Sequence, residues 1–357
     1  MKGEKLLIVK YENQMYDITD FMHKHPGGIG TLGDLAGKNV DITNRFTTMP
    51  PHSDAARYLM KEYRVPESSM NHQKNSPNGK ISNGNGIHLN GHTNYKGQKE
   101  EVNNNDDLHT TLDDSMEYLV DWSSAMIPQI RKLGKNYGEW VNKPVDRPLR
   151  LFGPWYLEIL TKTPWYIVPL FWFPIIVYLV IRGSANIAAV NHEIQPLQVV
   201  LYFAIGVLAW TLLEYSLHRW VFHMETERMG GIGATLHFLI HGLHHKVPFD
   251  PYRLVFPPLP AMMIASAVYP AIALLFTTQS LVVLAGGLAG YVVYDMIHFY
   301  LHYGNPSGGH LYFMKRYHYQ HHFVHHDKGF GISSSMWDDI FGTKILLRSL
   351  QYILRWR

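Results

Sequence analysis

Histidine is the residue type whose number and spacing could do chemistry in this chain of 357 residues: there are 22, there is no cysteine, and fourteen of the histidines lie between His218 and His326. Ten fall into four groups with ligand-like spacing. His218 and His223 form His-x4-His, His241, His244 and His245 form His-x2-His-His, His298 and His302 form His-x3-His, and His318, His321 and His322 form a second His-x2-His-His. Offsets of three and four residues put side chains on one helix face a turn apart, so two imidazoles of a group can aim at one point. The five-residue offset of His218 and His223 suits this less well and predicts a helix end between them. One ion takes about three to six ligands, so ten imidazoles predict two metal ions. Without cysteine, disulfides, thiolate zinc sites, iron–sulfur clusters and cysteine nucleophiles are excluded, which makes an all-nitrogen site the main surviving option. Imidazole alone leaves zinc, copper, iron and nickel open. His237, His310, His325 and His326 are expected to support or surround the groups rather than to bind metal. Glu214, four residues before His218, and Asp295, one turn before His298, are candidates to accept an imidazole N–H and fix its tautomer.

The elements that must position these groups are read from hydropathy and charge. The mean hydropathy of −0.13 averages a polar first half with a second half containing long uncharged stretches. Pro164–Ile181, Pro196–Leu217, Phe256–Phe276 and Ser280–Leu301 each approach the ~20 apolar residues that cross a bilayer. Prolines 164, 169 and 174 make the first span the least regular. Basic residues gather before the first span, between the second and third, and after the fourth, whereas Arg182–Gln195 holds one Arg and Thr277–Gln279 no charge. The positive-inside rule then places both termini and Arg219–Val255 in the cytosol, and all four histidine groups converge on that face. Tyr118–Arg150 carries Trp122, Met126, Ile130, Leu133, Tyr137 and Trp140 at helical spacing, interrupted by Pro128. It reads as a packed helix or as one lying on the membrane surface. Ile345–Arg357, rich in Leu and Arg, has the same two readings.

Met1–Lys10 carries charge with no signal-length apolar run behind it, so no cleaved secretory segment is expected. A short unit follows, with a strand at Leu6–Val9, a turn at Glu12–Asn13, and helical patches at Asp20–His23 and Asp54–Tyr63. Roughly 60 residues make a marginal core, which a buried cofactor would help to stabilise. From Pro66 to Asp114 the sequence is rich in Asn, Gly, Lys and Ser, and is expected to be a flexible tether; its His72, His88, His92 and His109 are expected to be solvated. Within the short unit, His25-Pro26-Gly27-Gly28 follows Thr19-Asp20-Phe21-Met22, His52 stands in Pro51-His52-Ser53-Asp54-Ala55-Ala56-Arg57-Tyr58-Leu59, and Tyr63-Arg64-Val65 closes it. This resembles cytochrome b5, a resemblance that implies His25 and His52 as the axial ligands of haem b. A one-electron carrier beside a metal site points to a reaction that consumes electrons, which hydrolysis does not.

The whole chain resembles the fatty acid 2-hydroxylase family, in which a cytochrome b5-like unit is fused to a membrane domain of the fatty acid hydroxylase/sterol desaturase superfamily. Val120-Asp121-Trp122, Lys162-Thr163-Pro164-Trp165-Tyr166 and Gly329-Phe330-Gly331 are similar to that family's connecting segments, and the ten grouped histidines match its metal-binding positions. The resemblance implies a small α+β haem domain at 1–65, a linker at 66–114, and an all-α membrane domain at 115–357 with four transmembrane helices and a cytosolic histidine-rich cap. It implies O2-dependent hydroxylation at C2 of long-chain fatty acyl groups for ceramide and sphingolipid synthesis in the endoplasmic reticulum membrane. The partners it implies are a fatty acyl or ceramide substrate, an NADPH-dependent reductase and membrane lipid, with no nucleic acid. Two iron ions are expected for activity, with zinc accepted by the same imidazoles. The alternatives are another cytochrome b5-fused desaturase or sterol oxidase, and a membrane haem carrier whose histidines hold structural zinc.

Overall fold

The computed structural model describes residues 6–48, 52–65, 116–193, 195–225, 230–350 and 353–356; residues 66–114, expected to be a linker, and their four histidines lie outside them. In the N-terminal unit, β1 (Ile8–Tyr11) pairs antiparallel with β2 (Gln14–Asp17) and parallel with β3 (Val40–Asp41). The expected turn is a two-residue hairpin loop in which Glu12 and Asn13 have φ of 46° and 66°, the left-handed backbone that matches the strand twist. The Asp20–His23 patch, expected to be helical, is a run of turns. Two helices follow, α1 (Thr43–Thr48) and α2 (Asp54–Met60), the second capped by Ser53, whose hydroxyl accepts from the Ala56 N–H at 3.2 Å. Leu7, Val9, Leu35 and Phe46 fill the core of the unit.

The membrane part is all helical. Among the described residues, three stretches are long and apolar enough to cross a bilayer: Ile167–Asn191, Pro196–Phe222 and Pro258–Tyr303. The first is α3 (Ile167–Asn191), which contains Pro174 and runs on past the expected end at Ile181, so that Arg182 lies on the helix and not in a loop. It stops at His192, whose φ is 61°. The second is α4 (Pro196–Ser216), continued by a π-helical turn at Leu217–Phe222. After α5 (Gly230–His237), the third stretch divides into α6 (Pro258–Phe276) and α7 (Ser280–Tyr303), joined by a 3-10 turn at Thr277–Gln279. Helix α8 (Gly309–Phe323) returns across the cap. Large apolar side chains such as Leu170, Phe173, Leu197 and Leu274 stay exposed on the outer faces, as a lipid-facing surface requires.

Lipid offers no hydrophobic drive for helix association, so close backbone approach has to hold the bundle together. Gly206 of α4 and Gly286 of α7 provide it. A Cβ at Gly206 would stand 2.0 Å from the Val283 carbonyl oxygen, and one at Gly286 would stand 2.0 Å from that of Phe203.

Residues 118–150 do not form one helix. They fold as short turns, including Ile127–Ile130, which Pro128 opens, and Tyr137–Val141. Met126, Ile130, Tyr137 and Trp140 are buried with Phe238 and Leu243, so this segment packs in the cap. The C-terminal tail packs likewise: Leu354 and Trp356 are buried with Leu59, Tyr319 and Phe323.

Replacing Gly206 by Val is expected to part α4 from α7 and cost about 1–3 kcal/mol, the usual penalty of overpacking. A thermal melt in detergent micelles measures it, and an unchanged melting temperature would show that the crossing does not depend on Gly206.

Candidate metal centre

The ten grouped histidines come together as two clusters of five: His218, His223, His241, His245 and His321 in one, and His244, His298, His302, His318 and His322 in the other. Within each cluster the ligand atoms lie within 4.8 Å of one another. The two His-x2-His-His boxes are divided between the clusters. His241 and His245, an i,i+4 pair, serve the first while His244 serves the second; His318 and His322, again i,i+4, serve the second while His321 serves the first. Helical spacing explains both splits, since the middle histidine of each box points off the face shared by the i,i+4 pair.

Local backbone departs from the α-helix where ligands are presented. His218 sits in the π turn Leu217–Phe222, and the His223 N–H donates to the His218 carbonyl at 3.1 Å, an i→i+5 bond. The wider turn brings a five-residue pair together, which corrects the expectation of a helix end between them: the helix ends at His223. A second π turn, Phe238–Gly242, carries His241. Single π turns inside helices recur at functional sites for this reason.

The polar surroundings fix how the rings face. The His218 Nδ1 lies 2.5 Å from the Phe330 carbonyl and the His321 Nδ1 2.7 Å from that of Lys328. Carbonyls only accept, so both Nδ1 atoms carry the proton and both Nε2 atoms present lone pairs. Those Nε2 atoms meet others: His218 to His241 at 3.1 Å, His245 to His241 at 3.0 Å, and His223 to His321 at 3.1 Å. In the second cluster His298, His302 and His322 stand 3.1, 2.9 and 3.0 Å from the Nε2 of His318. Metal–nitrogen bonds of about 2.0–2.1 Å at right angles put two nitrogens about 3 Å apart, so the spacing fits a shared cation. Burial pushes His241, His244, His245, His318 and His322 well below the ordinary imidazole range and His321 to about 4, leaving the rings neutral at pH 7. Both clusters therefore suit a divalent metal, which needs deprotonated ligands.

Neither carboxylate singled out from the sequence serves a ring directly. Glu214 accepts from the Ile332 N–H at 3.0 Å and the Ser333 N–H at 2.9 Å, and Asp338 accepts from those of Phe330 and Gly331, each at 2.9 Å. Together they staple the loop whose Phe330 carbonyl orients His218. Asp295 accepts from the Phe256 N–H at 3.1 Å and secures the approach to α6. Asp338 had no spacing signal in the sequence. Of the neighbouring histidines, His237 bonds the Tyr137 hydroxyl at 2.5 Å, His310 bonds the Ser333 carbonyl at 2.7 Å, and His325 and His326 are exposed.

An apolar cavity of about 350 Å3 lies between α4, α6 and α7 and reaches from Phe276 and Val283 to Phe222 and Tyr294. Phe222 stacks on His241 at 5.2 Å and Tyr294 on His298 at 6.0 Å between ring centroids, so the inner end of the cavity abuts both clusters. Sequence spacing gave no sign of these two aromatic walls.

In the N-terminal unit, His25 and His52 face each other with centroids 6.2 Å apart. The His25 Nδ1 lies 3.3 Å from the Gly28 carbonyl and the His52 Nδ1 2.9 Å from that of Phe46. Two imidazoles on one iron, each bonded at about 2 Å, fit that gap. Burial pushes His25 down to about 4 and His52 in the same direction, which keeps both rings unprotonated.

Residues 203–343 match the fatty acid hydroxylase family model and residues 2–68 match that of the cytochrome b5-like heme/steroid binding domain. The chain is 37% identical over 347 residues to a fatty acid 2-hydroxylase of Mus musculus, covering 93% of this chain and 89% of that one. It is 41% identical over 230 residues to a dihydroceramide fatty acyl 2-hydroxylase of Arabidopsis thaliana, covering 63% of this chain and 93% of that one. With a ceramide very long chain fatty acid hydroxylase of Saccharomyces cerevisiae the identity is 32% over 357 residues, 94% of this chain and 89% of the other. The solved structure of full-length scs7p, with only its hydroxylase domain visible, is similar at a TM-score of 0.57 and 34% identity, covering 64% of this chain and 86% of that one.

Elemental analysis of the purified protein is expected to give two metal ions per chain, falling in His241→Ala and His318→Ala but not in His237→Ala. Equal loss in all three would refute the division into ligands and neighbours. Chelation is expected to lower thermal stability, by about 4 kcal/mol for each site at which free metal had stood 1,000-fold above its dissociation constant. His25→Ala should abolish the haem absorbance band and leave the metal content unchanged.

Proposed function

The chain belongs to the fatty acid 2-hydroxylase family, and from that membership we propose how its residues carry out the reaction. It is a multi-pass membrane oxidoreductase that joins a cytochrome b5-like haem domain to a histidine-ligated dimetal centre. The ligands we assign are the two clusters of five, with His25 and His52 holding haem b. We assign residues 1–65 to the haem domain, 66–114 to the linker and 115–357 to the hydroxylase domain. Helices α3, α4, α6 and α7 each make one crossing of the endoplasmic reticulum membrane, with both termini and the metal centre in the cytosol. The excess of Lys and Arg on that side supports this orientation.

The reaction is R–H + O2 + 2e− + 2H+ → R–OH + H2O, with the electrons supplied singly by an NADPH-dependent reductase through the haem. Two iron ions, when bound, supply the redox chemistry of O2 reduction and C–H oxidation. The rest is the work of the protein. The acyl tail comes from lipid, so its burial gives no hydrophobic gain over the bilayer, and the cavity has to select by shape. With the polar head at the cytosolic boundary and the tail directed toward Phe276, the carbon next to the acyl carbonyl comes to rest at Phe222 and Tyr294. Holding that carbon in place supplies the orientation that an unguided C–H oxidation lacks. The relatives whose names specify dihydroceramide and ceramide support a sphingolipid-bound acyl group as substrate.

The single observation that carries this reading is the apolar cavity whose inner walls stack on one histidine of each cluster. Family membership selects hydroxylation over desaturation and sterol oxidation, and a haem carrier with structural zinc would have no use for such a cavity.

Lipid mass spectrometry of cells expressing the chain is expected to show 2-hydroxy acyl sphingolipids, and His241→Ala is expected to reduce them to background. Ala271→Trp, which narrows the cavity far from the metals, should shift the product toward shorter chains. Hydroxyl groups at another carbon, or double bonds in their place, would sink the assignment.

A further inference from the structure

The N-terminal unit is seated on the cap, and the contact runs between its histidine pair and the metal clusters. Starting from His25, the Phe21 ring lies edge-on at 5.9 Å and the Phe249 ring edge-on to Phe21 at 6.0 Å. Phe249 stacks on Phe323 at 6.3 Å, and Phe323 is the neighbour of His322, with centroids 6.1 Å apart. A chain of ring contacts thus joins a residue of the haem pair to a residue of the second metal cluster.

The C-terminal tail fastens the same contact. The Trp356 indole N–H donates to the Pro26 carbonyl at 3.0 Å, and the Arg355 carbonyl accepts from the Gly30 N–H at 3.4 Å. Gly28, at φ 82°, lies so close that a Cβ would fall 2.3 Å from the Arg355 carbonyl oxygen, so glycine is required there. On its other side the Trp356 backbone N–H donates to the Asn305 Oδ1 at 2.9 Å, and the indole ring lies 5.6 Å from Tyr312 on α8, with the Lys315 ammonium 4.9 Å above it. At the rim, Lys24 pairs with Asp146 at 2.5 Å and Arg147 pairs with Glu62, which fixes the rotation of the unit.

We propose that Trp356 is a positioning residue for electron delivery: it latches the His25 loop to α8 so that Phe21, Phe249 and Phe323 form the packed route between haem and metal centre. This rests on the ligand assignments above. Each electron leaves the reduced haem, which is oxidised, and reduces the metal centre, twice per hydroxylation, with no bond made or broken along the route.

Because the chain has no cysteine, Asn44→Cys and Lys135→Cys place two spin labels at exposed sites on the haem unit and the cap. In detergent micelles, with or without metal, the parent is expected to show one narrow inter-label distance. Trp356→Ala should broaden it, while the haem spectrum and metal content stay as in the parent. In the loaded enzyme, reoxidation of pre-reduced haem by O2 with substrate present should slow at least tenfold in Trp356→Ala. Trp356→Phe, which keeps a ring but loses the N–H, should fall between. Phe249→Leu should keep the narrow distance and slow reoxidation. A narrow distance or parental reoxidation in Trp356→Ala would overturn the latch, and parental reoxidation in Phe249→Leu would overturn the route. If the parent shows the narrow distance but makes no 2-hydroxy product, the functional reading fails and the docking stands.

Discussion

The structure depends on one arrangement that is unfavourable without a counter-charge: ten imidazole nitrogens converging in two water-poor clusters. With protons held at Nδ1 by the Phe330 and Lys328 carbonyls, Nε2 lone pairs face one another at about 3 Å, and neutral rings cannot all hydrogen-bond in that pose. For His318 and His322 the Nδ1 atoms are buried without a hydrogen-bond partner among the described residues. That adds a desolvation cost which coordination at Nε2 has to offset. Metal binding is therefore part of folding the cap as well as of its chemistry. The Glu214 and Asp338 staples, the π turns and the glycine-mediated helix crossing all serve to hold rings in positions they would not otherwise keep.

Much of this was legible in the sequence because histidine spacing and long apolar runs are local signals. The four groups, their common face and the His25/His52 pair followed from residue type, offset and resemblance. What was not legible depends on contacts between distant segments. The division of each His-x2-His-His box follows from helical geometry only after the partners are known, since His321 meets residues some 100 positions earlier. The extra length of α3 was hidden by Arg182, a charge inside the helix whose long apolar stem lets its head reach polar surroundings. The 118–150 segment has helical periodicity, yet tertiary packing broke it into turns. Phe222 and Tyr294, ordinary apolar residues in sequence, acquire a role only where the cavity meets the clusters.

The crossed allocation of ligands has a physical consequence. The first cluster draws on the end of α4, the segment after α5, and α8; the second draws on that same segment, α7 and α8. Neither cluster is complete until the intervening segment and α8 are both docked, so the two sites are coupled through shared backbone. A shift of α8 moves His321 in one cluster and His318 and His322 in the other at once. The same helix receives the Trp356 latch through Tyr312 and Lys315, which puts docking of the haem unit and the geometry of both clusters on one rigid element.

A buried ion pair ties a second element into this frame. Lys246, directly after His245, is fully buried and turns its ammonium toward Glu117 at 2.6 Å and the carbonyls of Trp140 and Lys143 at 3.0 and 2.7 Å. Burial lowers its pKa to about 8 while Glu117 opposes that shift. Glu117 also accepts from the Tyr58 hydroxyl of the haem unit at 2.5 Å. Removing one partner of such a pair costs about 3–5 kcal/mol, because the other charge is left stranded, whereas a well-packed apolar pair can match its stability. The pair is therefore better understood as a device for registry than for net stability. It couples three separate segments: the metal-binding box, the cap segment that begins at Met116, and helix α2 of the haem unit. An apolar pair would bury the same area yet lose the Tyr58–Glu117 hydrogen bond, which acts with the Lys24–Asp146 and Arg147–Glu62 pairs in setting the angle at which Phe21 meets Phe249.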